Sequence, residues 1–356
     1  MKPLGEFPDR FLEEISAQPE AMRRAARELD RHQDELGRIG FADPPHSVVF
    51  TGMGASYAAC YSPVTVLAGH GIQATMVDAA ELLHFRRRTV GRDDVLVVVS
   101  QSGRSAEVVR LMEAIAGSAG PVVVSITNGL DNPLAAGAVV SLDTGAGPEL
   151  GPSTLSYAAS LVILSAVSER LAGSSAVDAV RTVWERVERA ARTAAALLER
   201  PELQAGRFRE WLGRRPVVAL LGRGTARAAS EVGALVLKEA AQVPAEAMES
   251  AQFRHGPLEL AGPDLAAAIV ATEPETASLD RGLADELAGA GTSVLLIEQD
   301  AGVFARGDAV AIGDVDRSLA PAVAAIPFQL AAWRVATDRG LPLGVLTIAS
   351  KVTTRE

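Results

Sequence analysis

Ser100, Ser102 and Ser105 fall within the run Ser-Gln-Ser-Gly-Arg-Ser, directly after the apolar stretch Val95–Val99. Each serine offers an O–H, Gln101 adds an amide, and Gly103 lets the backbone come close to a ligand. A helical pattern (Ala106, Val109, Leu111, Met112) follows, so the loop meets a helix N-terminus whose first N–H groups lack intrahelical partners. Helped by the helix dipole, such a terminus takes an anion such as phosphate. Alone, the loop also reads as an ordinary strand–helix turn with a serine cap. A second stretch, Glu231–Leu260, places Glu239 beside Lys238 on a helix whose apolar face is Ala234, Leu237 and Ala241. It ends in Phe253-Arg254-His255-Gly256-Pro257, where Gly-Pro holds the imidazole in a turn or helix end. Taken singly, Glu239 reads as a surface carboxylate and His255 as a structural residue. Together, a carboxylate and an imidazole are two groups suited to moving protons to and from a substrate.

These residues need elements to position them. Val95–Val99 suits a parallel strand buried on both faces. The pattern before it predicts one amphipathic helical stretch over 8–38, with Phe11, Ile15, Met22, Ala25 and Leu29 at helical spacing, ended by the breaker Asp43-Pro44-Pro45. A strand over 47–50, the turn Thr51-Gly-Met-Gly-Ala-Ser56, a small-residue helix over 57–68 and a strand over 74–77 come next. Further strands are expected over 121–127 and 138–142, then a long apolar helix ending near Ala172. Residues 176–212 read as a charged helical connector broken at Pro201. A second series then starts with Val217–Leu221 and the turn Gly222-Arg-Gly-Thr-Ala226, which echoes the first, with later strands over 266–271, 293–298 and 309–312. Alternating strands and helices predict an α/β fold of two tandem doubly wound parallel-sheet domains behind a leading N-terminal helix. The implied duplication has a period of roughly 170 residues, far beyond a solenoid repeat. The expected divisions are 1–43, 44–175, 176–212, 213–345 and a tail over 346–356.

Composition narrows the function classes. A chain of 356 residues, 48% apolar and 22% charged, fits a compact protein of two domains. A net charge of −10 argues against nucleic acid as the main partner. The single cysteine, Cys60, cannot form an internal disulfide, which points to a reducing cytoplasm. No apolar run approaches a membrane span and no signal-peptide core opens the chain. Both G-x-G turns lack the third glycine of a dinucleotide fingerprint, with Tyr57 and Arg227 in its place. No phosphate-binding P-loop or G-x-S-x-G elbow occurs, and His32, His46, His70, His84 and His255 are too scattered for a metal site.

An ordered set of motifs carries a resemblance: Glu13-Glu14-Ile15 with Gln18-Pro19, both G-x-G turns, Ser100-Gln101-Ser102-Gly103, Gly147-Pro148-Glu149, Lys238-Glu239, His255-Gly256-Pro257 and Ser350-Lys351-Val352-Thr353. With them the chain resembles the SIS (sugar isomerase) family of phosphosugar-binding proteins, in particular the isomerase half of glucosamine-6-phosphate synthase and its stand-alone relatives. The resemblance implies flavodoxin-like domains, a homodimer, and no metal or organic cofactor. It implies that Ser56, Ser100, Gln101, Ser102 and Ser105 hold the substrate phosphate, with Gly54, Ala55, Arg104, Glu149 and Ser153 as further pocket candidates. It assigns Glu239 as the base that moves a proton between C1 and C2. It assigns His255 to ring opening, from the neighbouring subunit, and Lys351 to a tail that closes over the site.

The sequence departs from the family pattern at several positions. Arg104 stands where the family often has Glu, and would add positive charge beside the phosphate loop. Val236 and Leu155 replace family lysines, and Leu343–Ile348 replaces a Pro-Arg segment. These changes fall around the sugar and bear on substrate identity more than on reaction class. The chain carries no glutaminase half, so glutamine-dependent synthesis by it alone is not expected. The expected activity is isomerisation and deamination of an amino-sugar phosphate such as glucosamine-6-phosphate. The alternatives are a fructosamine-6-phosphate-type deglycase, another ketose/aldose phosphate isomerase such as a tagatose type, and a non-catalytic phosphosugar sensor.

Overall fold

The computed structural model describes residues 9–39, 46–116, 120–300, 304–346, 348 and 350–354. Among them, ten strands form two parallel sheets of five. The first contains β1 (Val48–Thr51), β2 (Ala74–Met76), β3 (Val95–Val99), β4 (Val122–Thr127) and β5 (Val140–Asp143), in the spatial order β2-β1-β3-β4-β5. The second contains β6 (Val217–Gly222), β7 (Ala245–Glu249), β8 (Leu265–Ala271), β9 (Ser293–Glu298) and β10 (Asp308–Ala311), in the order β7-β6-β8-β9-β10. Both follow the order 2-1-3-4-5, the flavodoxin-like doubly wound arrangement, so the second sheet repeats the first strand for strand. In each, the strand order reverses between the first and third strands, and a crevice opens at their carboxyl ends.

The period of two along each strand divides the interior into layers. Val95, Val97 and Val99 of β3 face one central core, while Leu96 and Val98 face a smaller outer cluster with Val108 and Leu111. In β8, Ala266, Ala268 and Val270 face that same central core, while Leu265, Ala267 and Ile269 meet Leu283 and Leu287 outside. The two sheets therefore share a helical layer, which includes Leu155–Leu171, Ala226–Ala241 and Ile326–Arg339. The first of these is buried from Leu155 through Ser168, as expected of a helix that is apolar all round.

The leading segment differs from the single helix expected. It is three helices, Arg10–Ser16, Gln18–Arg31 and Gln33–Gly37. Pro19 supplies no N–H, so the Ile15 carbonyl loses its usual donor. The Gln18 side-chain amide donates to that carbonyl at 2.9 Å and to Gln329 Oε1 at 2.6 Å, tying the leading segment to the second half. The helix expected over 57–68 is likewise two, Ala55–Ala59 and Tyr61–Gly69. Pro201 opens a new helix, Pro201–Leu212, after Ala176–Leu197. The breaker Asp43-Pro44-Pro45 lies outside the described residues. Strand β7 was not expected: Ala-Glu-Ala-Met-Glu has poor β-propensity and takes this form by pairing with β6 at a sheet edge.

Candidate active site

At the carboxyl ends of β1 and β3 the chain turns twice within a few ångströms. Gly54 adopts φ +54°, which suits glycine, and starts the helix Ala55–Ala59 without a side-chain cap. Gly52 lies so close to β3 that a Cβ would stand 2.8 Å from the Val99 carbonyl oxygen. After β3, Ser100 Oγ accepts from the Gly103 N–H at 3.1 Å and Ser102 Oγ accepts from the Arg104 N–H at 3.2 Å. Gly103 has φ +61°, and a Cβ there would collide with Asn132 Oδ1 at 1.9 Å. Ser105 occupies the N-cap of the helix Ala106–Ile115 but makes no capping bond.

These turns floor a cavity of about 210 Å³ that gathers Gly54, Ala55, Ser56, Ser100, Gln101, Ser102, Ser105, Ser153, Glu239 and Lys351. Gly151 and Pro152 add a wall, Leu235 and Glu239 reach in from the helix Ala226–Ala241 of the second half, and Leu346, Ser350, Lys351 and Thr353 of the tail lie over it. The helix terminus beneath is not left open: the Ala106 N–H donates to the Thr353 carbonyl at 3.0 Å.

The electrostatics centre on two carboxylates and one ammonium. Lys351 Nζ donates to Glu149 Oε2 and to the Gly151 carbonyl, each at 2.7 Å. Glu149 also accepts from the N–H groups of Thr154 and Ser156, at 2.7 and 3.1 Å, and from the Ser156 hydroxyl at 2.6 Å. It is therefore a buried anchor for the tail lysine and for the start of the helix Leu155–Leu171, not a cavity-lining group. Among the described residues, nothing hydrogen-bonds the half-buried carboxylate of Glu239. Burial raises its pKa; the charge of Lys351 opposes that rise and the charge of Glu149 adds to it.

One more expected pocket residue, Arg104, lies elsewhere, and His255, expected from the neighbouring subunit, stands apart from its own chain's cavity. Arg104 turns its guanidinium to the Asp131 carbonyl, 2.5 Å away, where it is exposed. That main-chain acceptor draws it away from the phosphate loop. His255 follows the short helix Ser250–Phe253 and is exposed, outside the cavity of its own chain.

Two residues were given no site role by the sequence reading, although Glu14 stood in one of its motifs. Glu14 Oε1 accepts from the Leu150 N–H at 2.8 Å, and burial raises its pKa. Its signal was a carboxylate on the stripe of Phe11, Ile15 and Gln18. Leu235 comes within 3.7 Å of a Cβ placed on Gly54. Its spacing of four from Glu231 and Glu239 marks one helix face.

A family model described as "SIS domain" matches residues 43–170 and 214–338, one match over each sheet. The chain belongs to the SIS domain family. Curated SIS relatives include isomerizing glutamine–fructose-6-phosphate aminotransferases from Bradyrhizobium diazoefficiens, 29% identical over 74% of this chain and 44% of the relative, and Pyrobaculum aerophilum, 27% identical over 94% and 56%. The chain thus spans about half the length of the curated relatives it matches.

Solved structures share the fold. The C-terminal domain of glucosamine-fructose-6-phosphate aminotransferase from Francisella tularensis superposes with a TM-score of 0.83 at 21% identity, covering 96% of this chain and 99% of that one. Tagatose-6-phosphate ketose/aldose isomerase from Escherichia coli gives 0.79 at 19%, with 95% of each chain covered. Glucosamine-6-phosphate deaminase from Thermotoga maritima gives 0.70 at 18%, covering 96% and 99%. Among the described residues, no helix is long and apolar enough to cross a membrane.

Proposed function

We propose that this SIS protein isomerises an amino-sugar phosphate such as glucosamine-6-phosphate and releases its nitrogen as ammonia. One observation carries the reading. A half-buried carboxylate, Glu239, with no hydrogen-bond partner among the described residues, shares a single cavity with the serine loop and the ammonium of Lys351. In this reading Ser56, Ser100, Gln101, Ser102 and Ser105 hold the phosphate through hydroxyl, amide and backbone donors. Glu239 removes the C2 proton of the open-chain aldose, and electron density moves onto the C1 carbonyl oxygen, near Lys351. O1 takes a proton from solvent, Glu239 returns its own proton to C1, and the nitrogen gives up one proton to solvent. The product is the C2 imine, which water hydrolyses to the ketose phosphate and ammonia. The printed names of the curated relatives and of the Thermotoga neighbour support this substrate class.

Opening the sugar ring calls for a group that can protonate and deprotonate near neutrality, a role suited to imidazole. His255 lies outside its own chain's cavity, so this reading supplies it from a second copy and makes the working unit a homodimer. An active monomer in size-exclusion chromatography with light scattering would rule that arrangement out.

The test of the reaction is ammonia release from purified protein given glucosamine-6-phosphate, with ketose phosphate followed in parallel. Equal yields of both are expected. Ketose formation from a phosphorylated aldose without nitrogen, and no ammonia from the amino sugar, would replace this reading with a plain isomerase. Binding without turnover would replace it with a sensor.

A further inference from the structure

The second sheet has a switch point of its own, between β6 and β8, and strand register aligns it with the first. Thr51 pairs with Val98 and Gly222 with Val270. Gly52, one step past Thr51, then stands opposite Val99 as Gly222 stands opposite Val270. Gly54 corresponds to Gly224, and their φ angles are +54° and +52°. Counting on along the third strand of each sheet, Glu273 falls at the place of Ser102.

Glu273 is buried, 3% exposed. Its Oε1 accepts from the Thr225 N–H at 2.6 Å and from the Thr225 hydroxyl at 2.5 Å, at the start of the helix Ala226–Ala241. Arg317 pairs with its Oε2 and also with Glu275 at 3.0 Å. A Cβ on Gly224 would stand 2.8 Å from the Glu273 carboxylate, whereas Gly54 faces the open cavity. Arg317 Nε and Thr272 Oγ1 beside it are buried and without hydrogen-bond partners among the described residues. The second switch point thus holds the Thr225 N–H and hydroxyl and the Arg317 guanidinium around an anion, and the anion is the chain's own carboxylate.

We infer that Glu273 is a built-in occupant of the second switch point, and that it confines phosphate-bearing ligands to the first. The inference rests on the reading that the first switch point holds a phosphate. The test is equilibrium dialysis of the full chain with radiolabelled inorganic phosphate, comparing wild type, Glu273→Ala and Glu273→Gln. Wild type is expected to bind one phosphate per chain. Glu273→Ala, which removes the charge and leaves room, is expected to bind two. Glu273→Gln, whose amide oxygen can still accept from Thr225, is expected to stay at one. Two phosphates on wild type, or one on a folded Glu273→Ala chain, would overturn the inference. None on wild type would overturn the reading of the first switch point instead. If Glu273→Ala does not fold in plain buffer, phosphate should restore a cooperative thermal transition, and failure to restore it would count against the inference.

Discussion

The two halves of this SIS protein build the same crevice and fill it differently. At the first switch point the third strand runs into hydroxyls and an amide, and the cavity above is open to a ligand. At the second, the equivalent strand runs into Glu273, and an internal carboxylate is bound to Thr225 and Arg317. The backbone frame is common, down to the left-handed glycine before each helix. The repeat therefore shares its backbone geometry, and the side chain after the third strand differs: Ser102 borders the open cavity, whereas Glu273 fills its own crevice. The catalytic candidate follows the same division of labour. Glu239 stands on the helix that leaves the second switch point, but its carboxylate reaches the first.

The largest effect is expected from Glu239→Gln. The amide keeps the shape and cannot take a proton, so kcat should fall by about 10²–10⁴-fold, while isothermal titration with the substrate shows near-unchanged affinity. A variant retaining wild-type turnover would remove Glu239 from the chemistry and leave the open crevice as a binding site alone.

Ser102→Glu carries the second half's residue into the first. It is expected to abolish phosphate binding in the same dialysis experiment while circular dichroism stays native. Persistent binding would break the correspondence between the two positions.

The pH dependence sharpens the electrostatic side. Burial holds the Glu239 pKa above its ordinary value, so the base is lost on acidification sooner than a solvated glutamate, whose pKa is about 4.3. The acid limb of kcat/KM should therefore have its midpoint above that value. Lys351 is the leading influence that lowers the pKa. In Lys351→Met the residual activity should show this limb displaced to higher pH, and a limb that moves down or stays would contradict the placement of the tail lysine.

The smallest effect concerns the two glycines. Alanine at either position meets an unfavourable φ, but only at Gly224 would the new Cβ also meet a carboxylate. Gly224→Ala should cost about 1–3 kcal/mol more than Gly54→Ala in chemical denaturation. Combining Gly224→Ala with Glu273→Ala should recover most of that difference, as coupled neighbours do.

Much of the fold was legible because its signals are local. Buried strands such as Val95–Val99 and Val217–Leu221 declare themselves by continuous apolar runs, and Pro201 and the G-x-G turns by backbone chemistry. The serine loop was legible for the same reason, since a strand followed by hydroxyls and a helix is a contiguous pattern. Strand β7 was not, because its five residues carry no strand signal and acquire one only from β6. The break in the leading helix was half visible in Pro19, yet the acceptance of Gln18 by Ile15 and Gln329 needs the second half of the chain in place.

What the sequence by itself determined is the kind of molecule: a duplicated, doubly wound α/β chain with a serine-rich loop after its third strand and a carboxylate on a helix of the second repeat. Tertiary structure alone decided which of these groups meet. It brought Glu239 and Lys351 over the serine loop, buried Glu149 as an anchor, turned Arg104 away and left His255 outside. It also seated Glu273 in the second crevice. The physical reason is that turns and the buried strands, β7 apart, are set by neighbours in sequence. Desolvation, ion pairing and the filling of a crevice depend on groups far apart in the chain, such as Glu149 and Lys351, 202 positions apart, whose encounter only the folded chain specifies.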